Sequence, residues 1–424
     1  MPTPTTYASQ LSFAGLASEQ VQGTPLAPTA TILLNKDASA KDMQVYLEDA
    51  GLRNAMADVY GAVQGPLSGE WQMDGDVRSD TQGYLLGNIL GDFTQSQPVT
   101  TPSTTTTGTN NAGATAINVT LGTGFTSGMT VQVGTGLTAE IVTIGTPAGN
   151  TLPIVKTARQ PTAGTLAFSH AAAQTVAQVD PAQLSTYQFS LQNAGASNSQ
   201  PIQAQARSLT MTDWSGVTAT VGARAYPGSM LSELAFSFDA TKLLTFSAKA
   251  QSWGSAPAAV APSPVISGLS AIAGWNCAVG IGGPASGGTL VANVTQMDIT
   301  LTRQIRVYPA LGGKQPYIIR QGKFGCTGRF TLIAADETHI LNYLNNVQPQ
   351  LQVVYTSGAG LTAQTVQFDL NSVYYKAAAL ERGQDDVEIL VDFTGIANTT
   401  NVGSSGGFSP VMVTLKNAVG VGTY

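Results

Sequence analysis

The side chains that most often carry catalysis or bind metal ions are scarce in this sequence. Its 424 residues include two histidines, His170 and His339, and two cysteines, Cys277 and Cys326. A metal site needs three or four converging nitrogen, oxygen or sulfur ligands, and the sequence offers no such set. Each cysteine falls on the apolar face of a strand-like run and is expected to be a small buried hydrophobe, although a disulfide between them stays open.

Two glycine-rich segments superficially resemble nucleotide-binding loops. Gly122–Gly128 has one residue too many for a dinucleotide loop and lies among predicted strands. Gly312-Gly313-Lys314 lacks the glycine spacing and the following Ser or Thr of a P-loop, and a hairpin tip explains it better. We therefore predict no nucleotide site and no cofactor.

One acidic stretch has the residue types of general acid–base chemistry, because glycosidases need only two carboxylates. Asp386, Glu388 and Asp392 alternate along a predicted strand, so their side chains share its outward face. Such a stripe is usually a solvated strand face, and the alternative is an acidic lining that repels phosphate groups. Neither interpretation requires catalysis, and we predict that the protein is not an enzyme and has no catalytic or metal-binding residues.

The composition favours a β-rich protein whose surface is largely covered by copies of itself. Charged residues make up 10% of the chain and apolar residues 43%, whereas a freely soluble monomer usually keeps more charge outside. The net charge is −6 and no Lys/Arg cluster occurs, which argues against nucleic acid as a bound ligand. The sequence also contains neither a signal peptide nor an apolar run of about 18 residues. We expect synthesis and assembly in a cytoplasm, with no membrane partner.

Alternating polar and apolar residues predict strands through most of the chain, as in Val387–Phe393. Two short amphipathic helices interrupt them. The first is expected to be capped by Asp80 and ended by Gly91, and the second to be capped by Asp336. The expected apolar faces of the two helices are Leu85, Leu86, Ile89 and Leu90, and Ile340, Leu341 and Leu344.

An internal repeat surrounds these two helices. Gln64-Gly65 opens the strand before the first helix, and Gln321-Gly322 opens the strand before the second. Upstream, residues 42–47 match residues 296–301, and downstream, residues 234–239 match residues 387–392. Four matched blocks in the same order predict one structural module present twice.

The repeat leads to a division of the chain into four segments. Module one comprises residues 1–110 and 180–255, an inserted small β-domain fills 111–179, and module two comprises 256–424. A Thr-rich segment over 94–112 is expected to be a low-complexity linker. The predicted fold class is mainly β, with two tandem modules, each a β-sandwich or partial barrel with one short helix, plus the inserted β-domain.

The order of elements resembles the tube module of phage tail tube proteins: a strand leading into a long hairpin, a Gln-Gly strand, a short amphipathic helix and closing strands. The opening Glu19–Pro28 and the closing Phe393–Asn398 are similar to those of tube proteins from long, flexible-tailed phages. The insert resembles small β-domains found on the outside of phage structural proteins. The resemblance covers the chain apart from the insert.

This resemblance implies a structural protein of the virion tail. In that family six modules form a ring whose inner wall is a continuous β-barrel, and the rings stack into a tube that conducts DNA during ejection. A chain with two modules would close as a homotrimer with pseudo-sixfold symmetry. The implied partners are other copies of the chain and the tape measure, tail terminator and tail tip proteins. DNA would pass through without specific binding, and assembly would take place in the host bacterial cytoplasm.

Positions within the predicted modules suggest contact roles. The tip of the hairpin in module two is expected to reach the adjacent ring, and its counterpart in module one is residues 50–60. Residues 1–24 are expected to become ordered only on a neighbouring copy. The inter-ring candidates are Pro309, Leu311, Gly312, Lys314 and Gln315, and the lumen-facing acidic candidates are Asp386, Glu388 and Asp392.

Three other functions fit parts of the sequence. The nearest is a tail-tip or baseplate ring protein of the same fold, which differs in copy number. A capsid or decoration protein would suit the Gly/Thr-rich insert, but it has little need of a duplicated module. A secreted carbohydrate-binding or polysaccharide-degrading β-protein is disfavoured by the absence of a signal peptide and by an aromatic content of 7%.

Overall fold

The computed structural model describes residues 12–35, 38–51, 57–135, 138–157, 164–193, 205–214, 223–258, 266–382, 386–420 and 424. Within these ranges the chain forms 24 strands and two α-helices. The elements are β1 Phe13–Ser18, β2 Ala30–Ile32, β3 Ser39–Asp49, β4 Gly61–Asp76, α1 Gln82–Leu90, β5 Gly91–Ser96, β6 Val99–Thr105, β7 Ala116–Asn118, β8 Thr130–Val133, β9 Glu140–Ile144, β10 Thr151–Thr157, β11 Thr175–Val179, β12 Ser185–Leu191, β13 Leu209–Trp214, β14 Arg224–Asp239, β15 Thr245–Trp253, β16 Ala256–Pro257, β17 Cys277–Ile281, β18 Val294–Tyr308, β19 Ile318–Ile333, α2 Thr338–Leu344, β20 Leu351–Ser357, β21 Gln364–Leu370, β22 Val373–Arg382, β23 Val387–Gly395 and β24 Met412–Asn417.

The strands form three antiparallel sheets. The main sheet contains an uninterrupted series of strands in the order β3-β4-β15-β14-β18-β19-β23-β22, and β13, β16, β1 and β2 extend it beside β14. The outer sheet has the order β17-β20-β21-β24-β12-β5, and the insert sheet has the order β6-β11-β8-β9-β10-β7. The protein is therefore mainly β, as predicted.

The core lies between the main sheet and the outer sheet. Every second residue of the main-sheet strands points inward, as the period of two requires, and Phe236 of β14 packs edge to face on Phe368 of β21, with ring centroids 4.9 Å apart. The insert sheet has a separate core that includes Val131, Val142 and Leu152. Two independent cores explain how the insert folds beside the sandwich without sharing its interior.

The main sheet contains the same four-stranded unit twice. The first unit is β3-β4-β15-β14 and the second is β18-β19-β23-β22, and the pairs within them correspond. In the first unit a β-bulge on β4 places Gly65 and Pro66 opposite Val45, and in the second unit an equivalent bulge on β19 places Gly322 and Lys323 opposite Gln304. A further bulge falls at Ser232 on β14 and at Lys376 on β22, opposite matching positions of β15 and β23. Bulges at the same places in both units are stronger evidence for the duplication than sequence identity is.

These registers correct two alignments made from the sequence. Gln64 of β4 corresponds to Gln321 of β19, as the Gln-Gly blocks predict, but the partner of Gln44 is Arg303 and not Asp298. The match of residues 234–239 with 387–392 is wrong, because the counterpart of β23 is β15 and that of β14 is β22. Short strands with period-two patterns resemble one another, and a bulge shifts that pattern by one residue.

Both helices lie where the sequence predicts them, but neither predicted N-cap residue occupies the N-cap position, which in α2 is taken by Glu337. Gly91, with a φ of +94°, ends α1, and the Asp336 carboxylate accepts a hydrogen bond from the Thr338 N–H at 2.8 Å at the start of α2. The prediction that Asp80 caps α1 is wrong: Thr81 occupies the N-cap position, and burial raises the pKa of the Asp80 carboxyl.

The prediction of a linker over 94–112 is also wrong, because the end of β5 and all of β6 lie within that segment. β6 forms an edge of the insert sheet, paired with β11, because Val and Thr residues favour strands even in a low-complexity segment.

The N-terminal arm is held by the chain's own residues from Phe13 onward, and residues 1–11 lie outside the described ranges. β1 pairs with β13, so this part needs no neighbour to become ordered, contrary to the expectation. The buried Glu19 carboxylate fixes the segment that follows. It accepts hydrogen bonds from the hydroxyls of Ser208 and Thr210, both at 2.6 Å, and from the Gly228 N–H. Burial raises the pKa of Glu19, and these donors oppose the rise.

Candidate self-assembly surfaces

Both ends of the eight-strand series in the main sheet are open. β3 pairs with β4 and β22 pairs with β23, and neither strand has a second partner among the described residues. Apolar side chains on both edges are exposed, including Tyr46 (58%) on β3 and Leu380 (52%) on β22. Long, apolar open edges attract further strands, so the sheet can be extended at both ends.

Inside the chain, the corresponding strands of the two units already pair with each other. β14 of the first unit pairs with β18 of the second, from Glu233 opposite Thr302 to Asp239 opposite Gln296. Since β22 corresponds to β14 and β3 corresponds to β18, the two open strands are the counterparts of the two strands that pair at this internal junction.

Side chains at this junction bind the carboxyl end of α1. Arg303 Nη1 donates to the Ile89 carbonyl at 2.9 Å, and Gln321 Nε2 donates to the Asn88 carbonyl at 2.9 Å. Both donors are buried and satisfy carbonyls that have no partner within the helix. Burial lowers the pKa of Arg303 to about 10, which leaves it charged at neutral pH beside the negative end of the helix dipole.

The second helix has no comparable cover. α1 has eight of its nine residues buried, whereas no residue of α2 is buried. Leu341 and Leu344, part of the predicted apolar face of α2, are 46% and 68% exposed. One side of α2 rests on its own unit, where the His339 ring lies edge to face against Phe330.

The outward face of the main sheet is polar and predominantly acidic. Three of its cations are each paired with a carboxylate of the same face: Lys41 with Glu70 at 2.7 Å, Lys249 with Glu233 at 2.8 Å, and Arg329 with Asp392 at 2.6 Å. Further acidic side chains on this face are Asp74, Asp76, Asp298, Glu381 and Glu388. A groove on the same face is lined in part by Asp74, Ser237, Ser247, Asp298 and Thr300.

The predicted lumen-facing residues are placed as follows. Glu388 and Asp392 lie on this polar face of β23, and Asp386 is exposed immediately before the strand. The hydrogen bond from Arg329 lowers the pKa of Asp392. The structure thus brings two of the three carboxylates onto one strand face and pairs one of them with a cation.

The predicted inter-ring residues lie in the turn between β18 and β19. Leu311 is fully exposed and Gly312 has a φ of +93°, which suits a turn. The other limb of the turn is held by the first unit: the Lys314 carbonyl accepts from the Leu67 N–H at 2.8 Å, and Gln315 Oε1 accepts from the Gly254 N–H at 2.7 Å. Pro309 precedes this turn.

Arg303 and Gln321 were not singled out by the sequence pattern as functional. The signal for Arg303 is its position: it follows Met297, Ile299 and Leu301 at the inward-facing positions of β18. A charged residue at a core position needs a specific set of partners, and here they are helix carbonyls.

The histidines and cysteines show no catalytic arrangement. His170 lies 3.0 Å from the buried Glu140 carboxylate in the insert, and both cysteines are free thiols whose pKa burial raises to about 12. Within the described ranges, no three His, Cys, Asp or Glu side chains are grouped so as to hold a metal ion. Neither helix in the described part of the chain has the length and apolar character to cross a bilayer.

Residues 203–397 match the model of the phage tail tube protein family. Over these residues, which make up slightly less than half of the chain, the sequence is similar to phage tail tube proteins. The match to the tail tube family begins before β13, includes the junction of the two units and ends after β23. No curated protein sequence matches the chain. The internal junction and the open strand β22 therefore lie within the part of the chain that is similar to a structural component of the phage tail.

Proposed function

We propose that three copies of this tail tube protein close into a ring through the open edges of the main sheet, and that the rings stack into the tube that conducts DNA. The observation that carries the proposal is the repeated register. β22 and β3 are open, and they correspond to β14 and β18, which are paired within the chain. A copy can therefore join its neighbour by repeating a junction that its own sequence already forms.

The number of copies follows from the family resemblance and the repeat. Each chain supplies two units, so three chains supply the six units of a ring. Closure removes both open edges of every copy, which otherwise expose apolar side chains to solvent. A closed ring is thus more favourable than a chain of copies with two free ends.

The polar face of the main sheet would form the inner wall. Its carboxylates outnumber its cations, and Lys41, Lys249 and Arg329 are each paired with a carboxylate. An acidic wall repels phosphate groups and lets DNA slide without being held. Asp386, Glu388 and Asp392 would contribute to this wall.

The remaining assignments extend the same proposal. The segments are residues 1–110 and 180–255 for module one, 111–179 for the insert and 256–424 for module two, with β6 added to the insert sheet. The separate core of the insert suits a place on the tube exterior. The hairpin tip from Pro309 to Gln315 would contact the next ring. The tape measure, terminator and tip proteins would be the other tail partners, and assembly would occur in the host cytoplasm.

Electron microscopy of the purified chain tests this function. We expect hollow rings or tubes with threefold symmetry and six lobes around a central channel. Sedimentation should give a ring mass of three chains. Rings that never stack would favour a tail-tip or baseplate ring protein of the same fold, and a monomer at high concentration would contradict the proposal.

A further inference from the structure

The contacts of α1 identify what should cover α2. Inside the chain, the base of the hairpin formed by β18 and β19 binds the carboxyl end of α1 through Arg303 and Gln321. This contact joins the helix of one unit to the hairpin of the next unit along the sheet. α2 is the helix of the last unit in the chain, so the next hairpin along the sheet belongs to another copy.

The hairpin of the first unit carries counterparts of both donors. By the shared register and bulge, Gln44 corresponds to Arg303 and Gln64 corresponds to Gln321. The local bonds correspond too: Gln44 Nε2 donates to the Gly65 carbonyl at 2.9 Å, and Arg303 Nε donates to the Gly322 carbonyl at 3.4 Å. Both glutamines are amide donors, as a helix end requires.

The side chains around these glutamines are apolar and exposed. Tyr46 lies opposite Gln64, and Leu47 lies opposite Val63, on the β3–β4 hairpin. Lys314 Nζ donates to Gln64 Oε1, so that oxygen is engaged and Nε2 is the atom that can reach a neighbour. The hairpin base thus combines amide donors with an apolar surface, which complements exposed leucines beside a helix end.

We infer that α2 of one copy docks on the base of the β3–β4 hairpin of the next copy, with Gln44 and Gln64 donating to the carboxyl end of α2 at the Leu344 carbonyl. The three carbonyls before it already accept hydrogen bonds from the N–H groups of residues 345–347. The inference rests on the proposed ring and names its second contact, beside the pairing of β22 with β3. It also places the exposed Leu341 and Leu344 against the apolar surface of the neighbouring hairpin. Part of the cover of α1 comes from β1 of its own half, and the second unit has no such strand among the described residues, so α2 depends more on the neighbour.

Charge at residue 44 gives a sharp test, because the carboxyl end of a helix favours cations and disfavours anions. Gln44→Glu should lower the fraction of chains in rings at least about tenfold at a fixed concentration, since each ring repeats the contact three times. Gln44→Arg, which restores the residue type of the internal junction, should assemble at least as well as the parent. Gln183→Glu, the same substitution in the exposed loop before β12, is the matched control and should assemble normally.

A second pair of variants tests the helix side. Leu344→Asp should abolish rings, whereas Leu361→Asp, at a leucine of 46% exposure in the turn between β20 and β21, should leave them intact. Sedimentation velocity and negative-stain microscopy measure rings, and circular dichroism confirms that each variant is folded. Rings from folded Gln44→Glu and Leu344→Asp chains at the parent level would overturn the docking but leave the proposed ring standing. Absence of rings from the parent chain would overturn both.

Discussion

Arg303 Nη1 lies 2.9 Å from the carbonyl oxygen of Ile89 and donates to it across the junction of the two repeated units. The bond joins residues that are far apart in the sequence and buries a cation that has a helix end as its partner. It therefore couples the position of α1 to the hairpin of the second unit.

Replacing Arg303 should weaken this junction. Arg303→Leu removes hydrogen bonds to the Ile89 carbonyl and leaves a buried acceptor unsatisfied, so we expect the free energy of unfolding to fall by about 2 kcal/mol. Urea unfolding followed by tryptophan fluorescence measures the change. Arg306→Leu, at an exposed position of the same strand, is the control and should change stability by less than about 0.5 kcal/mol. Equal effects of the two substitutions would contradict the role given to Arg303.

The junction between copies should have the register of the junction inside the chain. Glu233 faces Thr302 within the chain, and the corresponding residues are Ala377 and Met43. Two residues along the same face, Ala379 of one copy should lie opposite Lys41 of the next. Lys41→Cys with Ala379→Cys should therefore form an intermolecular disulfide under mild oxidation.

Non-reducing electrophoresis measures this cross-link, and covalent products should end at the trimer. Lys41→Cys with Ala377→Cys is the control, because a shift of two residues places the Cα atoms beyond the roughly 7 Å that a disulfide allows. The native thiols interfere little, since burial raises the pKa of Cys277 and Cys326 to about 12. A stronger cross-link in the shifted pair would show a different register.

The hairpin tip should affect stacking but not ring closure. Leu311 is fully exposed, while Lys314 and Gln315 tie the adjoining limb to the first unit. Leu311→Ser should leave the fold and the rings intact and should shorten or abolish tubes in negative-stain images, because an apolar contact between rings is lost. Leu121→Ser, at an exposed leucine of the insert, should give tubes of normal length. Normal tubes from Leu311→Ser would exclude this leucine from the ring contact.

Reversing charge on the proposed inner wall should make the tube retain DNA. Glu388 lies opposite Glu381 on the polar face, so Glu388→Lys also replaces a like-charge pair by an opposite-charge pair and should not unfold the chain. Tubes of this variant should co-sediment with short duplex DNA at about 50 mM salt and release it near 200 mM. Thr123→Lys adds a cation to the exposed surface of the insert and serves as the control. Equal retention by both variants would place Glu388 outside the channel.

The sequence by itself was enough for the fold class, both helices and the family. Period-two alternation in β23 and the pair of Gln-Gly blocks depend on local pattern, and such patterns survive in a single sequence. The end of α1 at Gly91 and the hydrogen bond from the Thr338 N–H to Asp336 before α2 are local as well, because a helix end is decided within a few residues.

Tertiary structure alone decided the register of the repeat and the different surroundings of its two helices. α1 and α2 have similar amphipathic patterns, yet one is buried and the other is exposed, because α1 packs against β14, β12, β5, β1 and β18 whereas α2 packs mainly against β22. The correspondence of Gln44 with Arg303 depends on a bulge, which adds one residue to a strand and leaves no mark in the alternation that a short block can reveal. The register of the repeat and the burial of each helix depend on long-range contacts. The sequence pattern indicates only which residues are able to make such contacts.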